Sequence, residues 1–278
     1  MKKIAFIIIA VFISTLAFSQ KKEKVKGSKI VTIVQKEVQN FTAIEVIDDL
    51  EIFLIKGDKN GVELEADDNL HDAIDLKYNG GTIILSSAKE ISGFKKFTIR
   101  VTYTDELKTV EAKDKAKIQG PEEINLEEVT FKSFDNSKMY LNVNAKVLNI
   151  IGNDKSEIQL NAKSESVTIE LSKNSDMKAL ISSTEMKFDM YQKSKATIEG
   201  DVIDLKLRFD NNTNFIGKNL NAKNCELIAE GYANATILAE TSLSLDASGS
   251  SEVYLYGEPK IELKKFTDTS TLYKKKLK

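Results

Sequence analysis

The side chains able to do chemistry are few and scattered. His71 is the only histidine among the 278 residues, and Asp72 follows it. As a lone general base it has no assignable partner. Ser-His-Asp chemistry would have to use it, and no Gly-x-Ser-x-Gly elbow is present. Cys225 is the only cysteine, so no intramolecular disulfide is possible. One His and one Cys are too few for a transition-metal site, and Cys225 is expected in the core as a small hydrophobe. Asp48-Asp49 and Asp67-Asp68 are adjacent carboxylate pairs. Neighbours along a strand point to opposite faces, so neither pair makes a catalytic dyad by itself; turn and cap roles are expected. Asp67-Asp68-Asn69 offers only part of a calcium ligand set. The two arginines, Arg100 and Arg208, equip the chain poorly for bidentate recognition of phosphate or carboxylate. No catalytic, cofactor-binding or metal residue is expected.

The elements that would have to position any such residue come from a repeat. Val129, Leu148, Val167, Met186 and Leu205 follow one another at intervals of 19, and Cys225, Leu243 and Ile261 continue at 20, 18 and 18. Stepping back 19 from Val129 lands on Val110. Two positions later in each copy stand Ala112, Phe131, Ile150, Ile169, Phe188, Leu207, Leu227, Leu245 and Leu263. Apolar-x-apolar with polar residues between is a strand with one buried face. Eight residues into each repeat comes a small corner residue: Ser137, Ser156, Ser175, Ser194, Thr213, Ala233, Ser251 and Thr269. Asn136, Asn174 and Asn212 precede three of them and tolerate unusual backbone angles. Stacked hydroxyls there are expected to hydrogen-bond from coil to coil. A second apolar pair and a short third side complete each copy. The fold predicted is all-β: a single-stranded right-handed parallel β-helix, a β-solenoid of about 19 residues per coil, with a β-rich N-terminal cap. A β-sandwich of evenly spaced strands is the competing reading.

The chain divides accordingly. Lys2 and Lys3, the apolar run Ile4 to Ile13 and Ala17-Phe18-Ser19 predict a signal peptide over 1–19, cleaved before Gln20. Residues 20–40 read as a flexible leader and first strand. Residues 41–109 read as the cap and first coils, with a short helical turn after Asp67 and a hairpin whose connection, Tyr78 to Thr82, carries Asn79-Gly80. The coils run over 110–273, and 274–278 form a basic tail. Lys264, Lys265 and that tail are expected to guard the open C-terminal edge. The formal charge of −2, or −4 without Lys2 and Lys3, argues against a nucleic-acid surface. The mature chain has no second apolar run of spanning length.

Outward columns look solvated. Lys138 and Glu157 fall on neighbouring coils, as do Asp176 and Lys195, which predicts charge compensation. Tyr140 and Tyr254 stand too far apart to form a sugar-stacking stripe. Glu122 to Glu128 is a modest insertion.

Two stretches carry a family resemblance: Phe41-x-x-Ile44-x-Val46, and the late run Ala247-Ser248-Gly249-Ser250-Ser251-Glu252-Val253-Tyr254-Leu255-Tyr256-Gly257-Glu258-Pro259-Lys260. Over roughly 41–265 the chain resembles the secreted bacterial proteins called putative auto-transporter adhesins, or head GIN domains. The resemblance implies a β-solenoid outside the cytoplasmic membrane of Bacteroidetes-type bacteria and offers no catalytic residues to carry over. The chain departs from the usual pattern in having few glycines at its corners. The expected function is a non-catalytic secreted or cell-surface adhesin or envelope scaffold, located in the periplasm, at the outer-membrane surface or outside the cell. Its ligand would be an envelope or extracellular protein or glycan, and the chain a monomer or weak oligomer. A β-helix enzyme cleaving carbohydrate with Asp and Glu is the alternative.

Overall fold

A computed structural model describes residues 22–276. The signal predicted over 1–19 lies outside the described residues, as do Leu277 and Lys278 of the tail. Nine strands precede the regular repeats: β1 (Lys24–Lys26), β2 (Val31–Lys36), β3 (Ala43–Val46), β4 (Glu51–Lys56), β5 (Gly61–Asp67), β6 (Ile74–Asn79), β7 (Thr82–Ser87), β8 (Glu90–Ser92) and β9 (Phe97–Tyr103). A short 3-10 helix, Asp68–Ala73, joins β5 to β6. Then come β10 (Thr109–Ala112), β11 (Lys117–Gln119), β12 (Ile124–Ser133), β13 (Lys138–Gly152), β14 (Glu157–Leu171), β15 (Asp176–Met190), β16 (Lys195–Phe209), β17 (Asn214–Ala229), β18 (Asn234–Ala247), β19 (Glu252–Tyr256), β20 (Lys260–Phe266) and β21 (Thr271–Lys274).

From β12 onward each strand pairs in parallel with its copy one coil away, giving a β-solenoid of about 9 turns. Alternation explains it. In β14 the buried residues are Ile158, Leu160, Ala162, Val167, Ile169 and Leu171, and the residues between them face solvent. Each large apolar side chain buried this way contributes about 1.5–3 kcal/mol against the entropy of ordering it. The third side is not separate: β13 to β18 run unbroken for 14 to 16 residues each. The long strand is interrupted only at Gly120-Pro121-Glu122-Glu123 and at Gly257-Glu258-Pro259, where proline cannot donate to a ladder.

One column of the sequence reading is corrected. Val110 pairs with Phe131 rather than Val129, and Ala112 pairs with Ser133, so this coil holds 21 residues. Lys117 pairs with Lys138 at the same offset, whereas Ile124 pairs with Val143 at 19. The two extra residues therefore lie between Gln119 and Ile124, at the start of the predicted insertion. An even shift keeps every side chain on its own face, so the misplaced column still looked apolar.

The tight corner differs too. The left-handed residue is Asp135, Asp154 or Lys173, two before the serine, and neither Asn136 nor Asn174 has a positive φ, whereas Asn212, at φ +57, does. Coil-to-coil bonding there is carried by the backbone: Asn136 N–H donates to Asp114 C=O at 2.7 Å, and Lys155 N–H to Asp135 C=O at 2.7 Å. The stacked hydroxyls contribute little. Ser137 Oγ reaches Ala112 C=O at 3.2 Å and Thr269 Oγ1 lies 2.8 Å from Ser250 Oγ on the coil before, but the hydroxyls of Ser156, Ser194, Thr213 and Ser251 are buried without a partner among the described residues.

The cap doubles back. β10 and β11 stack not on β9 but on β3 and β4, 66 residues earlier, and β7 and β9 stack on the far side of β3 and β4. β5 and β2 then extend one face antiparallel, and β6 extends the other as a hairpin with β7. The hairpin turn is Gly80-Gly81, both with positive φ, inside the predicted connection from Tyr78 to Thr82. Leu70 and Ala73 of the 3-10 helix are buried. The predicted flexible leader is corrected as well: β1 pairs with β8, and 26–29 are clasped to the cap by Asp67, Asp68 and Asn69.

Candidate functional site

The residues named for chemistry are occupied by structure. His71 Nε2 lies 2.6 Å from Thr32 Oγ1, tying the 3-10 helix to the edge strand β2. Asp67 is buried and does not cap that helix. Its carboxylate accepts the amides of Lys29 (2.8 Å), Lys95 (3.0 Å) and Lys96 (3.0 Å). Burial alone would raise its pKa; the three amides outweigh that and hold the carboxyl below the usual 3.8. Asp68 Oδ1 accepts Ser28 Oγ at 2.5 Å, and Asn69 Nδ2 donates to Lys26 C=O at 2.9 Å. The trio that offered part of a calcium set is a clasp.

Asp48 is a corner residue with φ +69, stacked with Asp114, Asp135 and Asp154 on successive coils. Each of the first two donates its amide to the carboxylate of the next, at 3.2 and 3.1 Å. Lys22 at one end and Lys173 at the other close the column at 2.5 and 2.7 Å. Arg100 clamps Glu63 at 2.6 Å and Glu65 at 3.0 Å across β9 and β5. Cys225 is buried in its predicted column, and desolvation pushes its thiol up to about 12. Among the described residues, no group of three or more His, Cys, Asp or Glu is arranged to hold a metal.

Sequence reasoning passed over the column one residue before the first apolar position. Ser166, Glu185, Asp204, Asn224, Ser242 and Lys260 stack there in register. They form one rim of a solvent-open groove of about 710 Å³ along the rod; Lys187, Lys206 and Glu226 stand on the other. Asn224 Nδ2 donates to Asp204 Oδ1 at 2.9 Å, and Ser242 Oγ donates to Asn224 Oδ1 at 2.9 Å. Glu185 and Asp204 lie on adjacent coils, a like-charge juxtaposition that costs stability. Carboxylate, amide, hydroxyl and ammonium in one groove suit a hydroxyl-rich ligand. Cleaving a glycosidic bond further requires a carboxyl kept protonated in a water-poor pocket. Glu185 and Asp204 stand exposed among hydroxyls and amines.

On the outward columns, Lys138 and Glu157 pair at 2.7 Å as expected, while Asp176 and Lys195 are in register without an ion pair. A tyrosine stack does form, at the C-terminal end: Tyr254 lies on Tyr273 with ring centroids 5.0 Å apart and Lys275 over both. Tyr273 escaped notice because the last coil reaches it at 19 residues, not the 18 of the preceding step.

The architecture has solved counterparts. A Parabacteroides distasonis protein described as a putative lipid binding protein superposes with a TM-score of 0.65 at 13% identity, over 91% of this chain and 99% of that one. A putative adhesin of the same organism gives 0.59 at 15% identity, over 91% and 98%. A putative adhesin from Parabacteroides merdae gives 0.54 at 15%, over 91% and 99%. At such identities the likeness shows the fold alone. No curated protein matches the chain. Among the described residues no helix is long and apolar enough to cross a membrane. The family described as "Putative auto-transporter adhesin, head GIN domain" matches residues 40–180 and again 132–259. An overlapping double match is what a stack of similar coils produces, and the chain belongs to this family.

Proposed function

We propose that the chain is an exported, non-catalytic binding module of the cell envelope, a stiff rod that presents surfaces to a protein or glycan partner. The observation that carries this reading is the commitment of His71, Asp67, Arg100 and Cys225 to contacts within the fold. The adhesin descriptions of the family and of two solved counterparts agree with it. The lipid-binding description of the third names a further partner class.

The test has two arms. Protease added to intact cells should cut an epitope-tagged chain; complete shielding would sink surface display in favour of the periplasm. Purified protein should bind members of a glycan and envelope-protein panel and cleave none. Cleavage of any polysaccharide that disappears in Glu185→Gln or Asp204→Asn would replace this reading with the carbohydrate-active one.

A further inference from the structure

The two ends of the rod differ. At the N-terminal end the 3-10 helix brings Leu70 and Ala73 into the core. At the other end nothing among the described residues covers the last coil. β20 pairs only with β18 and β21 only with β19, so each leaves one edge of backbone donors and acceptors unpaired. Ile261, Leu263 and Phe266 stand in register with Leu243, Leu245 and Ala247, which are buried. They face the same way, over the core, yet are 40%, 52% and 41% exposed. Terminal coils of a solenoid usually turn a polar face outward; this one presents the cross-section of the core.

Charge says what fits there. Residues 260–276 hold six lysines against two carboxylates, a formal +4 on a chain of net −2. Lys260, Lys265, Lys275 and Lys276 make no ion pair among the described residues. A second copy meeting this end with its own would set +4 against +4. The opposite end is no better. The segments forming it (22–37, 68–79 and 88–96) hold nine lysines against six carboxylates. A lipid surface would satisfy the charge but leave the edge backbone groups without partners, which hydrocarbon does not tolerate.

We propose that the C-terminal coil is a strand-addition site, completed by an extended acidic polypeptide segment of another protein. The added segment hydrogen-bonds along β20, sets alternate apolar side chains over Ile261, Leu263 and Phe266, and turns Asp or Glu outward to the lysines. Lys264, the bulged residue in the pairing of β20 with β18, already pairs with Glu262 at 2.6 Å, so Lys260 and Lys265 are the cations of this strand without an ion pair among the described residues. The inference rests on the binding-module reading and names its partner class.

The experiment is selection from a displayed library of randomised nine-residue segments, followed by titration of the selected peptides and amide hydrogen exchange. Sequences alternating apolar residues with Asp or Glu should emerge, bind at least tenfold more weakly to Leu263→Lys and to the double variant Lys260→Glu/Lys265→Glu, and protect amides of β20. Both variants change exposed positions, and an unaltered thermal transition confirms that they fold. No enrichment, enrichment indifferent to both variants, or protection elsewhere would overturn the proposal. So would anionic phosphatidylglycerol vesicles bound in preference to every peptide, or protection of β20 by self-association. None of these outcomes bears on whether intact cells expose the chain, so the two readings fail separately.

Discussion

Two glycines allow the packing of the coils to be tested against itself. Gly200, on the third side of its coil, has φ +118, and a Cβ placed there would lie 2.0 Å from the carbonyl oxygen of Ile181 on the coil before. Gly80, in the cap hairpin, has φ +54 and open space around it. Alanine at Gly80 meets only the backbone penalty of the left-handed region, about 1 kcal/mol. Alanine at Gly200 meets a backbone strain of about 1–3 kcal/mol. It must also push two paired strands apart by more than an ångström against the ladder, a further overpacking cost of about 1–3 kcal/mol. The expected loss is therefore about 2–6 kcal/mol, against about 1 kcal/mol for Gly80→Ala. Equilibrium unfolding in urea followed by far-ultraviolet circular dichroism measures both. Hydrogen exchange should place the Gly200→Ala loss in β15 to β17, because a solenoid coil contacts only its neighbours. Equal losses for the two variants would refute the close approach of the coils at Ile181.

Other outcomes follow from the same contacts. Asp67→Asn should free amides of 24–29 and 90–96 to exchange. The native carboxyl titrates below its unfolded value, so its contribution is fully present above about pH 4 and fades as pH falls through the native pKa. The stability gap between wild type and Asp67→Asn should narrow in acid and stay flat above pH 5, as read from denaturation midpoints across pH. Cys225, with its thiol pushed up to about 12 by burial, should resist iodoacetamide at pH 8 in the native state and react on unfolding, as mass spectrometry reports. Arg100→Met should weaken the cap by about 1 kcal/mol, because the pair with Glu63 and Glu65 is a third exposed and screened by solvent. That loss should shrink as salt is added.

The sequence made the coils legible because their inward columns obey a single constraint, burial, repeated nine times. The same constraint hid the 21-residue coil: sliding Val110 from Phe131 to Val129 moves it by two, and parity with the pleat survives. The cap was legible strand by strand but not in its order. Parallel stacking of β3 between β7 and β10 joins residues 39 and 66 apart, and no local periodicity records such pairings. The clasp around Asp67 was unreadable for a related reason. Its donors are main-chain amides of Lys29, Lys95 and Lys96, which every residue except proline has. The groove rim of Glu185, Asp204 and Asn224 is a column of differing polar residues, which periodicity does not distinguish from any other solvated face.

A repeat that specifies its core so well specifies its outer faces poorly. The outward column Lys138, Glu157, Asp176, Lys195, Asn214, Asn234 keeps one kind of group over no more than two neighbouring coils, so no ligand with its own short period meets the same group three times running. Recognition then depends on places where the repeat stops or where side chains tie a column together over several coils. The groove rim from Asp204 to Ser242 is such a column, linked by hydrogen bonds across three coils. The last coil is such a stop: Pro259 breaks the long strand, Lys264 is left as the unpaired extra residue of β20, and the tyrosine stack of Tyr254 and Tyr273 ends in an exposed ring. Replacing outward residues between these places should change solubility before it changes binding, whereas a single substitution at Leu263 or Asn224 alters a contact that no other coil duplicates.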